Sequence, residues 1–145
     1  MNCLNKDDII RLKHLIKNDS KIVVLTHLNP DGDAIGSALG LHILLKQMGI
    51  ASTVIVPNHV PDFLQWMPSF NDVLIFEQHK NRAIQQLEAS DIAFCVDFNA
   101  ANRLGKIENQ FAKQSLFKIL IDHHPNPEQF CDICYSDTHA SSAAE

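Results

Sequence analysis

The chain has 145 residues, 46% apolar and 20% charged, and its 12 basic and 17 acidic side chains leave a formal net charge of −5. That length suits one domain with a real core, and the composition excludes disordered, collagen-like and low-complexity chains. The acidic balance also excludes a non-specific nucleic-acid coat, which needs an excess of Lys and Arg, yet a small phosphorylated ligand remains open if local cations or metal ions are supplied.

Residues 6–18 carry Ile9, Ile10, Leu12, Leu15 and Ile16 at helical spacing. Residues 21–26 (KIVVLT) are short, β-branched and nearly all apolar, the pattern of a strand buried on both faces. Residues 27–33 (HLNPDGD) are turn chemistry, because Asn-Pro and Asp-Gly break regular elements. A helix is predicted over 34–48, with Ile35, Leu39, Ile43 and Leu44 on one side and Gly49 as its stop. A second strand is predicted at 53–56. The Pro- and aromatic-rich stretch 57–70 is irregular with a short helix. A third strand follows at 73–76, a helix at 81–89, and further strands at 91–96, 116–121 and 133–135. Strands alternating with helices predict an α/β fold, a mostly parallel sheet flanked by helices, with no internal repeat and no linker. Ser142-x-x-Glu145 is a capping box, which opens a helix. A frayed tail is the bland reading of this ending; the sharper one is that residues 1–145 are the N-terminal piece of a longer protein.

The longest apolar run, 92–96, is strand-sized and far short of the roughly 20 residues of a membrane span. Met1 to Asp8 carries two acids and no apolar signal core. The chain therefore reads as cytoplasmic, with no membrane partner. Cys3, Cys95, Cys131 and Cys134 are too few and too uneven for a disulfide framework. Cys131-x-x-Cys134 has a redox or zinc spacing but no second pair, and the cysteines read as reduced structural thiols.

In an open parallel sheet, ligands bind beyond the carboxyl ends of the strands. After the first predicted strand come His27, Asp31 and Asp33; after the fourth, Asp97; after the fifth, Asp122, His123 and His124. Clustered carboxylates repel one another unless cations intervene. Imidazole with carboxylate suits Mn²⁺, Fe²⁺, Co²⁺ or Zn²⁺ better than Mg²⁺ or Ca²⁺. The ligands outnumber the needs of one ion, so two are inferred, with Asp97, alone at its strand end, as the natural bridge. Each residue has an ordinary alternative. His27 could be a satisfied strand-end histidine and Asp31-Gly32 a plain turn; Asp33 could N-cap the helix at 34, and Asp97 could cap a turn with Asn99. Coincidence at three strand ends argues against all of these together. His14, His42, His59 and His79 read as surface residues and His139 as structural. Gly32 would let backbone approach a ligand, and the start of the helix at Ala34 would suit an anion. No aromatic-and-basic stripe long enough to track a polymer is visible, so long nucleic acids are not expected partners.

His27-Leu-Asn-Pro-Asp31-Gly-Asp33-Ala-Ile-Gly-Ser37 resembles the first motif of the DHH phosphoesterases. Val96-Asp97-Phe98 with Arg103-Leu-Gly105 resembles the second, and Asp122-His123-His124-Pro125 the triplet that names the family. Ser141-Ser142-Ala-Ala-Glu145 resembles the Ser-rich helix start that follows. Asn-Pro-Asp-Gly-Asp resembles in particular the RecJ-like branch of bifunctional oligoribonucleases and pAp phosphatases. The resemblance implies a Rossmann-like DHH domain and two divalent ions, Mn²⁺ first, with Mg²⁺, Co²⁺ or Fe²⁺ as alternatives. It implies that His27 and Asp31 hold one ion, Asp33 and His123 the other, and that Asp97 bridges them. His124 would contact the scissile phosphate or protonate the leaving group, Asp122 would orient a histidine ring, and Arg103 would contact phosphate. The implied activity is hydrolysis of short oligoribonucleotides or of pAp by a metal-bridging hydroxide. Other branches act as cyclic-dinucleotide phosphodiesterases, single-strand DNA exonucleases or family II pyrophosphatases, and a non-catalytic metal- or nucleotide-binding module is the reading from another class. A homodimer is compatible with any of these. The family's further Asp in a fourth motif and its smaller substrate-gripping domain have no match here; Asp132 and Asp137 do not fit that pattern.

Overall fold

Six short apolar segments pair through their backbones into one sheet in the computed structural model, which describes residues 6–145. Cys3, read above as a structural thiol, lies outside them. The strands are β1 (Lys21–Leu25), β2 (Ala51–Val56), β3 (Leu74–Ile75), β4 (Ile92–Val96), β5 (Phe117–Asp122) and β6 (Ile133–Ser136). Their order is β3-β2-β1-β4-β5-β6 and every pairing is parallel. The chain steps outward from β1 to β3 and then returns to place β4 on the other side of β1. The strand order therefore reverses between β1 and β4, and a crevice opens there beyond their carboxyl ends.

Side chains alternate across the sheet, so each strand feeds two cores. Ile22, Val24, Val54, Phe94, Val96 and Ile119 pack on one face against Ile35, Ala38 and Leu39 of α2 (Gly32–Gln47), with Leu12 and Leu15 of α1 (Lys6–Leu15) at its margin. Val23, Leu25, Cys95 and Leu120 pack on the other face against Ala83 and Leu87 of α3 (Lys80–Ala89) and Phe111 of α4 (Glu108–Lys113). The all-parallel sheet covered on both sides is the expected α/β architecture.

The differences from expectation have local causes. The helix expected from 34 begins at Gly32, because Asp31 rather than Asp33 is its N-cap and accepts from the Ala34 N–H at 3.0 Å. The third strand shrinks to Leu74–Ile75, which pair with Ile55 and Val56 at the end of β2, and the Phe76 N–H adds one more bond to the Val56 carbonyl at 2.9 Å. Residues 101–113, unassigned in the sequence reading, form a 3₁₀ segment (Ala101–Ile107) followed by α4. Leu104, Ile107 and Phe111 were the helical-spacing clue there, and all three are buried. His42, expected on the surface, is buried on α2 with Nδ1 2.7 Å from the Ser52 hydroxyl. α2 is apolar around most of its circumference, so its pattern does not reveal which way a polar residue faces. His14, His59, His79 and His139 are exposed. Cys95, Cys131 and Cys134 are free thiols, and burial first of all pushes Cys95 and Cys134 above the ordinary thiol range.

Gly105 bends the chain inside the Ala101–Ile107 segment at φ 54° and ψ −126°. A Cβ there would meet Leu28 Cδ1 at 3.2 Å, and the nearby Leu28 N–H donates to the Arg103 carbonyl at 2.7 Å. Gly105→Ala should therefore lower stability by about 1–3 kcal/mol, read as a fall in the urea midpoint.

Candidate functional site

β1, β4 and β5 are neighbours, so the residues that follow them meet at one rim. Asp97 follows β4 at the centre, with only 2% of its surface exposed and a backbone φ of 66°. Non-glycine residues rarely hold that left-handed conformation. The Asp97 N–H donates to the Ile121 carbonyl at 2.9 Å, which extends the β4–β5 ladder by one bond and turns the carboxylate into the crevice.

Two histidines flank that carboxylate. His27 Nε2 lies 3.7 Å from Asp97 Oδ2 and 3.9 Å from Asp31 Oδ1. His123 Nε2 lies 3.3 Å from Asp97 Oδ1 and 3.2 Å from Asp33 Oδ2. In each ring the other nitrogen faces a backbone carbonyl: His27 Nδ1 the Leu28 oxygen at 2.8 Å, His123 Nδ1 the Ala140 oxygen at 3.3 Å. A carbonyl only accepts, so Nδ1 carries the proton and Nε2 of the neutral ring keeps its lone pair for the crevice. His124 Nδ1 lies 2.7 Å from Asp122 Oδ1 and 3.9 Å from Asp97 Oδ1. Asp122 is buried and holds the His124 ring by the same logic, while the His123 and His124 rings meet edge to face at 4.8 Å.

Two groups have the spacing of a metal shell, His27 with Asp31 and Asp97, and Asp97 with His123 and His124; within each, all potential ligand atoms lie within 4.8 Å of one another. Asp97 belongs to both. Its Oδ1 and the Asp122 Oδ2 are buried without a hydrogen-bond donor. A buried carboxylate oxygen with no donor is costly unless a cation sits against it, so the donor set fits divalent metal.

Sequence reasoning missed what holds Asp33. Its Oδ1 accepts from the Ser37 hydroxyl at 2.9 Å, and both of its oxygens accept from the Ala143 N–H, at 3.2 and 3.0 Å. Ser37 stands one helical turn after Asp33 and was legible; the Ala143 contact to Asp33 spans 110 positions and the Ala140 contact to His123 spans 17, and neither was. Gly32 opens α2 with room for a Cβ 3.7 Å from Leu64 Cδ2, so no protein contact demands glycine there. Arg103 reaches the first loop through its backbone, and its side chain is exposed. Asp132 accepts from the Lys118 N–H at 2.8 Å near the amino ends of β5 and β6, the rim away from the crevice. Asp137 accepts from the His139 N–H at 3.0 Å.

A crevice at the switch point of a parallel sheet, ringed by imidazoles around one shared carboxylate, defines a class of α/β domain whose donor set could hold a metal ion. Residues 21–145 match the DHH family, N-terminal domain, and the chain belongs to that family. It is 32% identical over 130 residues to the Streptococcus mutans protein named probable bifunctional oligoribonuclease and PAP phosphatase NrnA, covering 90% of this chain and 38% of that one. It is 33% identical over 75 residues to a probable manganese-dependent inorganic pyrophosphatase of Streptococcus thermophilus, covering 50% of this chain and 24% of that one. The crystal structure of an exopolyphosphatase-related protein from Bacteroides fragilis superposes with a TM-score of 0.93 at 38% identity, covering 99% of this chain and 42% of that one. The chain thus spans less than half the length of these relatives. No helix among the described residues is long and apolar enough to cross a membrane.

The Asp97 carboxylate, outweighing the opposing effect of burial, holds the His27 pKa above its ordinary value of 6.5, with the Leu28 carbonyl and Asp31 adding to the shift. In metal-free protein the stability from this protonated pair is fully present below pH 6.5 and is lost as pH rises through the higher folded-state value. The urea midpoint of metal-free protein should fall across that window, and His27→Gln should flatten the fall.

Proposed function

We propose that this protein is a two-metal phosphoesterase that hydrolyses short oligoribonucleotides, pAp or both. The observation that carries the reading is Asp97, a buried carboxylate shared by two histidine–carboxylate groups at the switch point of the sheet. His27 and Asp31 would hold one ion, Asp33 and His123 the other, and Asp97 both. The manganese-dependent pyrophosphatase relative favours Mn²⁺, and the NrnA relative, named as an oligoribonuclease and PAP phosphatase, favours a nucleotide substrate. In this reading residues 1–145 form the DHH phosphoesterase domain of a cytoplasmic enzyme.

Bound divalent ions acidify water and neutralise charge on phosphoryl oxygens. The chain's own residues do the rest. His27 and His123 present fixed Nε2 lone pairs because backbone carbonyls hold their Nδ1 protons. His124, with Nδ1–H directed at Asp122, is placed to contact the scissile phosphate or to pass a proton to the leaving oxygen. Arg103, exposed near the same loop, is the candidate side chain for a neighbouring phosphate. Cations held by these carboxylates would let an acidic chain handle a polyanion.

A panel with Mn²⁺ tests the reading, offering pAp, di- to pentaribonucleotides, a cyclic dinucleotide, pyrophosphate and long single-stranded DNA. Turnover should favour the first two; preference for pyrophosphate or long DNA, or binding without turnover, would overturn it. Asp97→Ala should cost more than the roughly 10–100-fold typical of residues that merely orient ligands, and should also lower Mn²⁺ retention after dialysis. Asp122→Ala should cost about 10–100-fold in rate with Mn²⁺ content nearly intact, as metal analysis beside initial rates will show.

A further inference from the structure

The loop after β2 presents an unusual surface. Phe63 is 73% exposed and Trp66 76% exposed, the two most exposed large apolar side chains among the described residues. Their placement follows from local geometry. Asp62–Leu64 is a 3₁₀ turn, continued by the Gln65 N–H donating to Asp62 at 3.1 Å and the Met67 N–H to Leu64 at 3.4 Å. In a 3₁₀ turn, residues i and i+3 eclipse one another. Leu64 and Met67 therefore share the inward side and pack into the α2-side core. Phe63 and Trp66 form the matching pair on the outward side.

That turn is fastened to the loop that bears His27, Asp31 and Asp33. The Asn29 N–H donates to Asn58 Oδ1 at 2.7 Å, and Asn58 Nδ2 donates to Asn29 Oδ1, also at 2.7 Å. Leu64 Cδ2 stands 3.7 Å from the position a Cβ on Gly32 would take, and Gly32 lies between Asp31 and Asp33. The Gln65 side chain stiffens the turn by donating to the Val60 carbonyl at 2.9 Å. Two exposed aromatic rings are thus held on a braced turn at the same rim as the carboxylate crevice.

We propose that Phe63 and Trp66 form a stacking platform for a nucleobase of the substrate, next to the phosphoester site. This rests on the phosphoester reading above and adds what the site recognises beyond phosphate. The chain's charge is −5, so Lys and Arg cannot supply most of the affinity for a sugar–phosphate strand. Bases offer a neutral route, because each has a face that stacks on an aromatic ring whatever its identity. Such a platform recognises a ribonucleotide by its base plane and tolerates any sequence. It also separates a nucleotide from pyrophosphate, which has no base to stack.

Trp66 is the chain's one tryptophan, so its emission reports the platform directly. A triribonucleotide is titrated beside a base-free ribose–phosphate trimer carrying the same phosphates, and hydrolysis of both with Mn²⁺ is followed separately. The expected result is quenching by the triribonucleotide alone. Trp66→Ala should weaken triribonucleotide binding roughly tenfold and erase the preference over the base-free trimer, while Trp66→Tyr should retain most of it. Equal binding of both trimers by the parent, or unchanged preference in Trp66→Ala, would overturn the platform. So would an emission shift with protein concentration alone, which would mean that a second copy covers the ring. Hydrolysis of both trimers with unmoved Trp66 emission would remove the platform and leave the phosphoesterase standing. Quenching without any hydrolysis would do the reverse.

Discussion

A buried carboxylate with one oxygen lacking any donor is the constraint around which this domain is arranged. Asp97 sits at the end of β4 in a left-handed backbone conformation, and Ile121 of β5 holds its amide. Protein interiors tolerate such a group only when positive charge compensates it. Imidazoles approach from both sides, His27 from the β1 loop and His123 from the β5 loop. Each ring is locked by a carbonyl behind it. The site is therefore a set of oriented lone pairs around a shared charge, which is what a divalent ion requires and a hydrophobic core does not.

The sheet topology makes that convergence possible. Reversal of strand order between β1 and β4 leaves no connection crossing the rim there. The loops after β1, β4 and β5 turn outward from adjacent strands instead of burying one another. The cores on the two faces hold those three strands rigidly, since Val23, Leu25, Cys95 and Leu120 are fully buried on one side while Val24, Val96 and Ile119 are buried on the other. Rigidity matters because ligand atoms must be held to a fraction of an ångström.

Around this centre the rim divides its work. Residues 137–143 reach back across the molecule, and the Ala143 amide steadies Asp33 while the Ala140 carbonyl steadies His123. The β2 loop, clasped to the first motif through Asn29 and Asn58, contributes exposed aromatic rings where the other loops contribute acids. Acidic and imidazole side chains thus gather on the loops after β1, β4 and β5, while exposed aromatic surface gathers on the loop after β2.

The α/β class, the six strands and the candidate ligands at three strand ends were all legible along the chain. Apolar run length, helix spacing and turn chemistry are local properties, and Asp31, Asp33, Asp97, Asp122, His123 and His124 stand out because each follows such a run. What the chain could not disclose is which partner each side chain finds. That His42 turns inward to Ser52, that Asp31 rather than Asp33 caps α2, and that Ala140 and Ala143 support the site all depend on contacts between elements. The exposure of Phe63 and Trp66 was hidden too, because their outward direction follows from Leu64 and Met67 turning into a core assembled by other strands and helices. Local sequence sets periodicity, and only packing decides which face of each element meets water.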